Sequence, residues 1–338
     1  MLFCGGLKRP SSLAWWALVV CAYEMRNVPN KGLRRQTAAS SAKAVTWLGI
    51  LLILASGLSF SIMSLSVRSL RDTFRPDSLV FFRSTFQALI LVPWLSEFVH
   101  AFKEPRTLRS HFLRGTFGIA SMWCLYVSLQ LLPVAFATLL AMTSVVWATL
   151  ASWIFLKERV SNPRIKACVI TVIGILTVAI PTREVSSWHF HAVGVAAGLL
   201  CGVFMGGALT VLRHMRQGMR TEEIVFFFGV TGVLLMLPSF AAHPQWPGTV
   251  TEWKWLVAAA VAATGGQLLM TAGYRYTPTA IASLLNLFQV LFNIALGFWV
   301  LGETPPARFF VGGTIVLVGF VALVSARSEA HRESPQVC

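Results

Sequence analysis

Arg83 is the one ionisable residue set well inside an apolar stretch of this sequence, and a charge in such a place points to function by default. Two readings stand side by side. Its planar guanidinium fits a carboxylate or phosphate on a ligand. Alternatively it snorkels, because it lies five residues into its segment, which at about 1.5 Å per residue is only some 7–8 Å deep. Asn286, Gln289 and Asn293 form a second pattern. Steps of three and four residues put all three amides on one helical face. Unpaired amides are costly in hydrocarbon, so that face turns toward protein, where it either lines a cavity or hydrogen-bonds another helix. Trp123, Tyr126 and Gln130 repeat the spacing, and Gln87 stands one turn beyond Arg83. Thr143 with Trp147, and Gln267 with Tyr274, add polar and aromatic groups within apolar runs. Together they would build a pocket for a small zwitterionic, anionic or aromatic organic molecule. For the Trp and Tyr residues an interfacial belt is the competing reading, above all at Trp94 and Trp153.

Enzyme chemistry has less to work with. No Asp or Glu lies mid-span, and all seven histidines read as loop or tail residues. The sequence therefore offers no paired intramembrane aspartates, no buried Ser–His pair and no mid-membrane proton relay, and no catalytic residue is assigned. The six cysteines are scattered without a CxxC pair, so neither a metal site nor a disulfide framework is readable. No cofactor is implied, and no Gly-x4-Gly-Lys-Ser/Thr loop exists to hold ATP. Glu158 and Glu303 stand at helix ends, where each either ties its helix to a neighbouring loop or takes part in gating.

These residues are carried by a chain of 338 residues that is 56% hydrophobic and only 12% charged, with a mean hydropathy of +0.68. Soluble domains average roughly 25% charged residues. A spanning helix needs about 20 mostly apolar residues, and ten segments qualify: 45–66, 78–99, 112–132, 134–156, 164–181, 191–212, 224–242, 255–274, 279–301 and 309–326. The expected fold is an all-α integral membrane domain with short loops between its spans. Of the 28 basic residues, 21 fall on the side of the N-terminus, six on the other side, and Arg83 within a span. Arg114 is counted with the loop that follows the second span. That asymmetry puts both termini in the cytoplasm and accounts for the net charge of +15 without nucleic acid. Residues 1–44 and 327–338 read as cytoplasmic tails. The apolar run 11–23 is too short to span; it reads either as an interfacial segment, or as part of a mis-assigned start that belongs at Met25.

Shifting the sequence by 145 residues aligns its two halves without a gap. Pro93, Gly49, Gly57 and Gly174 fall on Pro238, Gly194, Gly202 and Gly319, and Val80-Phe81-Phe82 falls on Val225-Phe226-Phe227. Each half, 45–181 and 191–326, holds five spans. Five is odd, so the second half is expected upside down relative to the first. Inverted repeats are the architecture of secondary transporters, whose sites lie between the repeats near the bilayer midplane. Gly194, Gly198, Gly202 and Gly206 recur every fourth residue, which lets another helix approach closely. Packing within the chain is one reading and a dimer interface the other, so a monomer or a homodimer is expected.

Each half also ends in a related pair of motifs: Pro133-Val-Ala-Phe-Ala-Thr-Leu-Leu with Leu156-Lys-Glu158, and Pro278-Thr-Ala-Ile-Ala-Ser-Leu-Leu with Leu301-Gly-Glu303. With ten spans in two halves, this resembles the EamA type of the drug/metabolite transporter superfamily. Many members carry a proline 13 residues before that glutamate. Here Val145 and Val290 stand there, so the resemblance does not extend to a proline kink. Phe81-Phe82-Arg83 and Leu113-Arg114-Gly115 are similar to bacterial members that move cofactor-like metabolites. The resemblance implies a secondary transporter of a small zwitterionic or anionic, amino-acid- or cofactor-like metabolite. It would work by alternating access in a bacterial inner membrane, with substrate and lipid bilayer as its partners. A passive channel or facilitator, and beyond it an intramembrane enzyme, are the alternatives.

Overall fold

The computed structural model describes residues 37–94, 104–144, 146, 147, 150, 162–179, 192–215, 219–277, 285–303 and 307–332. The segment Met1–Ala44 forms one unit and Val45–Cys338 another, and the account below concerns the second. The described residues contain no strand. Their helices are α1 (Thr37–Ser69), α2 (Pro76–Leu91), α3 (Pro105–Leu131), α4 (Val134–Ala141), α5 (Asn162–Ala179), α6 (Ala192–Met215), α7 (Thr221–Ala242), α8 (Val250–Tyr276), α9 (Phe288–Leu301) and α10 (Ala307–Arg332).

Local chemistry sets the ends. Prolines open α2 and α3, where the missing N–H costs nothing and the fixed φ suits a helix. Thr249 and Glu252 close a reciprocal capping box at the start of α8. Gly302, at φ +67°, ends α9 in the left-handed conformation that a residue with a Cβ adopts only with strain. Among the described residues, five helices are long and apolar enough to cross a membrane: Trp47–Ser69, Thr107–Leu131, Ala192–Leu212, Thr221–Ala242 and Val250–Tyr274. Shorter apolar helices run over Ile165–Gly174, Phe288–Leu301 and Phe309–Gly319. Parts of the expected spans 78–99, 134–156, 164–181, 191–212 and 279–301 lie outside the described residues, as does Glu158.

The internal repeat is visible in the packing. Gly49 leaves room for Tyr276 and Thr277, and Gly194 for Leu131 and Leu132. Gly57 faces Gln289, and Gly202 faces Thr143 and Ser144. Gly174 faces Val316, and Gly319 faces Thr171. In each pair of contacts, moving one residue forward by 145 and its neighbour back by 145 turns the first contact into the second. That reciprocity is what a two-fold relation between halves produces. The halves are therefore interlocked. α1 of the first packs on α8 and α9 of the second, and α6 of the second packs on α3 and α4 of the first. Gly194, Gly198 and Gly202 of the α6 stripe face this seam.

One polar knot ties four helix ends, those of α1, α3 and α9 and the start of α4. Glu303, just past α9, accepts from Arg68 Nε at 3.1 Å and from the backbone N–H of Val134 at 2.9 Å, the latter at the start of α4. Arg68 Nη1 in turn donates to the carbonyls of Leu129 and Gln130 at the end of α3, at 3.2 and 2.6 Å. The glutamate caps a helix start and the arginine caps a helix end, each with the charge that terminus favours.

Candidate functional site

Between the halves lies a cavity of about 200 Å³. α1 contributes Phe60 and Met63, α2 Arg83, α3 Arg114, Gly118, Met122 and Leu125, and α4 Thr138 and Ala141. From the second half come Cys201, Met205 and Leu212 of α6, Phe228 of α7, Gln267, Met270 and Tyr274 of α8, and Asn286 and Gln289. Five of the ten methionines line it: Met63, Met122, Met142, Met205 and Met270.

Arg83 is 5% exposed, and its Nε makes no hydrogen bond among the described residues. Its guanidinium lies over the ring of Phe228, 5.7 Å from the centroid. Phe228 is the residue that the 145-residue offset pairs with Arg83, so the two meet across the two-fold relation of α2 and α7. Gly229 and Gly232 let those helices touch at Ser84 and Ala88.

Of the residues expected from sequence, the cavity gathers Arg83, Gln267, Tyr274, Asn286 and Gln289. The others sit elsewhere. Gln87 is fully buried and donates to the carbonyl of Val225 at 2.7 Å, joining α2 to α7. Tyr126 belongs to the apolar core cluster, with no hydrogen-bond partner for its hydroxyl among the described residues. Thr143 is buried against Gly202. Trp123 and Trp147 are 40% and 37% exposed and do not line the cavity. Asn293 lines a separate niche of about 10 Å³ beside Glu303, room for about one water molecule, and both its amide atoms lack a partner among the described residues.

The three-amide stripe is thus divided, and the backbone shows why. The chain turns at Asn286 and Leu287 before α9 begins. There the amide N–H groups of Gln289 and Val290 reach back three residues, to Asn286 at 3.1 Å and Leu287 at 3.0 Å. The first half tightens in the same way after α4, where Thr143 N–H bonds Leu140 O at 3.1 Å and Val146 N–H bonds Thr143 O at 2.9 Å. Such three-residue closures mark local 3-10 winding. It occurs here without a proline, since valine occupies both position 145 and position 290. Asn286 consequently turns to Tyr274, donating to its hydroxyl at 2.7 Å. Gln289 faces the cavity and Asn293 the niche.

Two groups escaped the sequence reading. Arg114 had been assigned to a loop, yet it stands in α3 and lines the cavity, with its guanidinium 4.5 Å from the Phe228 centroid. Its third place in the apolar segment 112–132, next to Gly115, was the available signal. His111 also belongs to α3 rather than to a loop. It is fully buried, stacked on Phe227 at 4.3 Å, with Nε2 2.8 Å from Glu223 Oε1 of α7. Among the described residues no three His, Cys, Asp or Glu side chains come together in a way that would hold a metal.

Comparison with known proteins gives the following. The model of the EamA-like transporter family matches residues 47–180 and again 192–325. The pseudopaline exporter CntI of Pseudomonas aeruginosa is 27% identical over 275 residues, covering 81% of this chain and 95% of its own. Solute carrier family 35 member G1 of Homo sapiens is 24% identical over 296 residues, covering 84% of this chain and 80% of its own. The riboflavin transporter of Vibrio cholerae is 20% identical over 299 residues, covering 86% and 97%. One solved crystal structure superposes with a TM-score of 0.57 at 18% identity over 87% of this chain and 99% of that one.

Proposed function

From the premise that the chain belongs to the EamA-like transporter family, and so to the drug/metabolite transporter superfamily, we propose that it is a secondary transporter moving a small zwitterionic or anionic metabolite by alternating access. In this reading the ten segments all span, 45–181 and 191–326 form two five-helix repeats inverted across the bilayer, and both termini face the cytoplasm of a bacterial cell. The protein acts in the inner membrane as a monomer or homodimer.

The cavity carries the reading. Its walls come from both repeats, it is bounded by the two tightened turns at Met142–Thr143 and Asn286–Leu287, and a guanidinium without an acidic partner among the described residues reaches into it. Discontinuous helices at a repeat interface are where secondary transporters bind their cargo. Arg83 anchors an anionic group, while Gln267, Asn286, Gln289 and Tyr274 orient the remainder. Gln87, Tyr126, Thr143 and Asn293 hold the frame, Trp123 and Trp147 face outward, and Glu303 is a tie between helix ends. The relatives whose printed names give a cargo, an exporter of pseudopaline and a transporter of riboflavin, fit an organic cargo rather than an inorganic ion.

The test compares the metabolites of cells carrying the chain, cells lacking it, and cells carrying Arg83→Ala at equal abundance. The reading expects one compound class to accumulate or fall in the null cells, and the Arg83→Ala cells to match the null. Identical profiles in all three would refute it.

A further inference from the structure

We propose that Arg114 is a second anion-binding residue of this cavity and that the cavity takes a doubly anionic organic molecule with an apolar body. The inference rests on the cavity being the transport site. It narrows the expected cargo by excluding zwitterions.

Arg83 on α2 and Arg114 on α3 approach the same aromatic ring, at 5.7 and 4.5 Å from its centroid. The two guanidinium carbons are therefore no farther apart than the sum of those distances, within reach of a single small molecule. Gly118 makes the arrangement fit, because a Cβ there would meet Arg114 Nη1 at 2.8 Å and would strike the Phe228 ring. Three guanidinium nitrogens, Arg83 Nε and Arg114 Nε and Nη1, have no hydrogen-bond partner among the described residues. Among the described residues neither arginine forms an ion pair, and no Asp or Glu lines the cavity.

Two like charges drawn out of water beside each other are unfavourable unless something negative compensates them. The face of Phe228 supplies part of that compensation, but it is one ring shared by two cations. A monoanion would leave one guanidinium uncompensated. A zwitterion would add a third cation with no described carboxylate to receive it. A dianion brings one negative charge for each guanidinium, with oxygens enough for both planar forks to engage it. The thioethers and the Cys201 thiol would suit a soft metal ion by type, but two arginines repel any cation. Methionine then serves in its other capacity, as a conformable apolar wall, and it is this wall that calls for an apolar body. Two carboxylates or one phosphate monoester satisfy the same chemistry.

Binding to the purified full-length protein in detergent tests the proposal independently of transport. The probes are phenylsuccinate and its monomethyl ester, phenyl phosphate and its methyl ester, and phenylalanine, all at slightly alkaline pH. At least one dianion should bind at least tenfold more tightly than its own monoanionic ester and than phenylalanine. Which dianion does so identifies carboxylate or phosphate as the source. Arg114→Gln should remove that preference while leaving the ester's affinity near wild type, and Arg114→Lys should retain part of it. Without ligand, Arg114→Gln should melt no lower than the wild type, because it sheds an uncompensated charge. If neither dianion surpasses its ester, if phenylalanine binds as well, or if Arg114→Gln keeps the preference, the proposal is overturned. The wild-type comparison decides even if the variants do not fold. A dianion preference found in a protein that moves nothing across vesicles would instead count against the transport reading alone.

Discussion

Glu303 holds two partners at once, and removing it should separate their contributions. Its carboxylate pairs with Arg68 at 3.1 Å and caps the Val134 N–H at 2.9 Å, and the two side chains are only 11% and 15% exposed. Removing one member of a buried pair costs roughly 3–5 kcal/mol, and the residual exposure favours about 3. The lost helix cap adds about 1 kcal/mol, so Glu303→Ala should cost about 4. Glu303→Gln can still offer its amide oxygen to Val134, but its NH2 then faces Arg68 Nε, so it keeps the helix cap and loses the pair, a cost of about 3 kcal/mol. A double-mutant cycle with Arg68→Met should show coupling of about 2 kcal/mol. Thermal and detergent-induced unfolding of the single and double variants provides the measurement. If the two substitutions add to within about 0.5 kcal/mol, the ion pair contributes nothing and the structural assignment fails. If Glu303→Gln abolishes transport while melting like the wild type, the residue is a gate rather than a tie.

Three more expectations follow from the packing. His111→Gln should lower the melting temperature, since it removes the imidazole that hydrogen-bonds buried Glu223, and a hydrogen bond to a charged group is worth about 1.5–3 kcal/mol; unchanged melting would mean the bond is not formed. Gly202→Ala should destabilise because its methyl group collides with the Thr143 hydroxyl, whereas Gly265→Ala meets nothing within 4 Å and should gain up to about 1 kcal/mol of helix propensity; equal effects at the two sites would contradict the seam between α6 and α4. Gln289→Leu should weaken apparent substrate affinity about 2- to 12-fold, the equivalent of one hydrogen bond, with thermal stability retained; a lower melting temperature at unchanged affinity would remove Gln289 from the site.

Much of the architecture was legible because glycines and prolines at one offset are hard to produce by chance in apolar sequence. The same glycines, Gly49 with Gly194 and Gly57 with Gly202, proved to sit where each half meets the other. The facing of individual side chains was less legible. Lipid and protein interior are both apolar, so a three-four spacing identifies a face without saying whether it turns inward; that is how Trp123 and Trp147 were read into a pocket they do not line. The amide stripe was divided by a tightened turn that no proline announces. Arg114 and His111 were hidden because a charged or imidazole side chain near the start of an apolar run resembles a loop residue, and only the close approach of α3 to α7 reveals both as buried or half-buried.

The central claim is that the cavity opens in turn to each side of the membrane. Gln289→Cys in a background lacking the six native cysteines places one thiol in its wall. A membrane-impermeant thiol reagent applied to right-side-out vesicles, and separately to inverted ones, reports access from each side. Alternating access predicts labelling in both orientations, slowed in both by a cavity ligand. Labelling from one side only, however long the exposure, would contradict it.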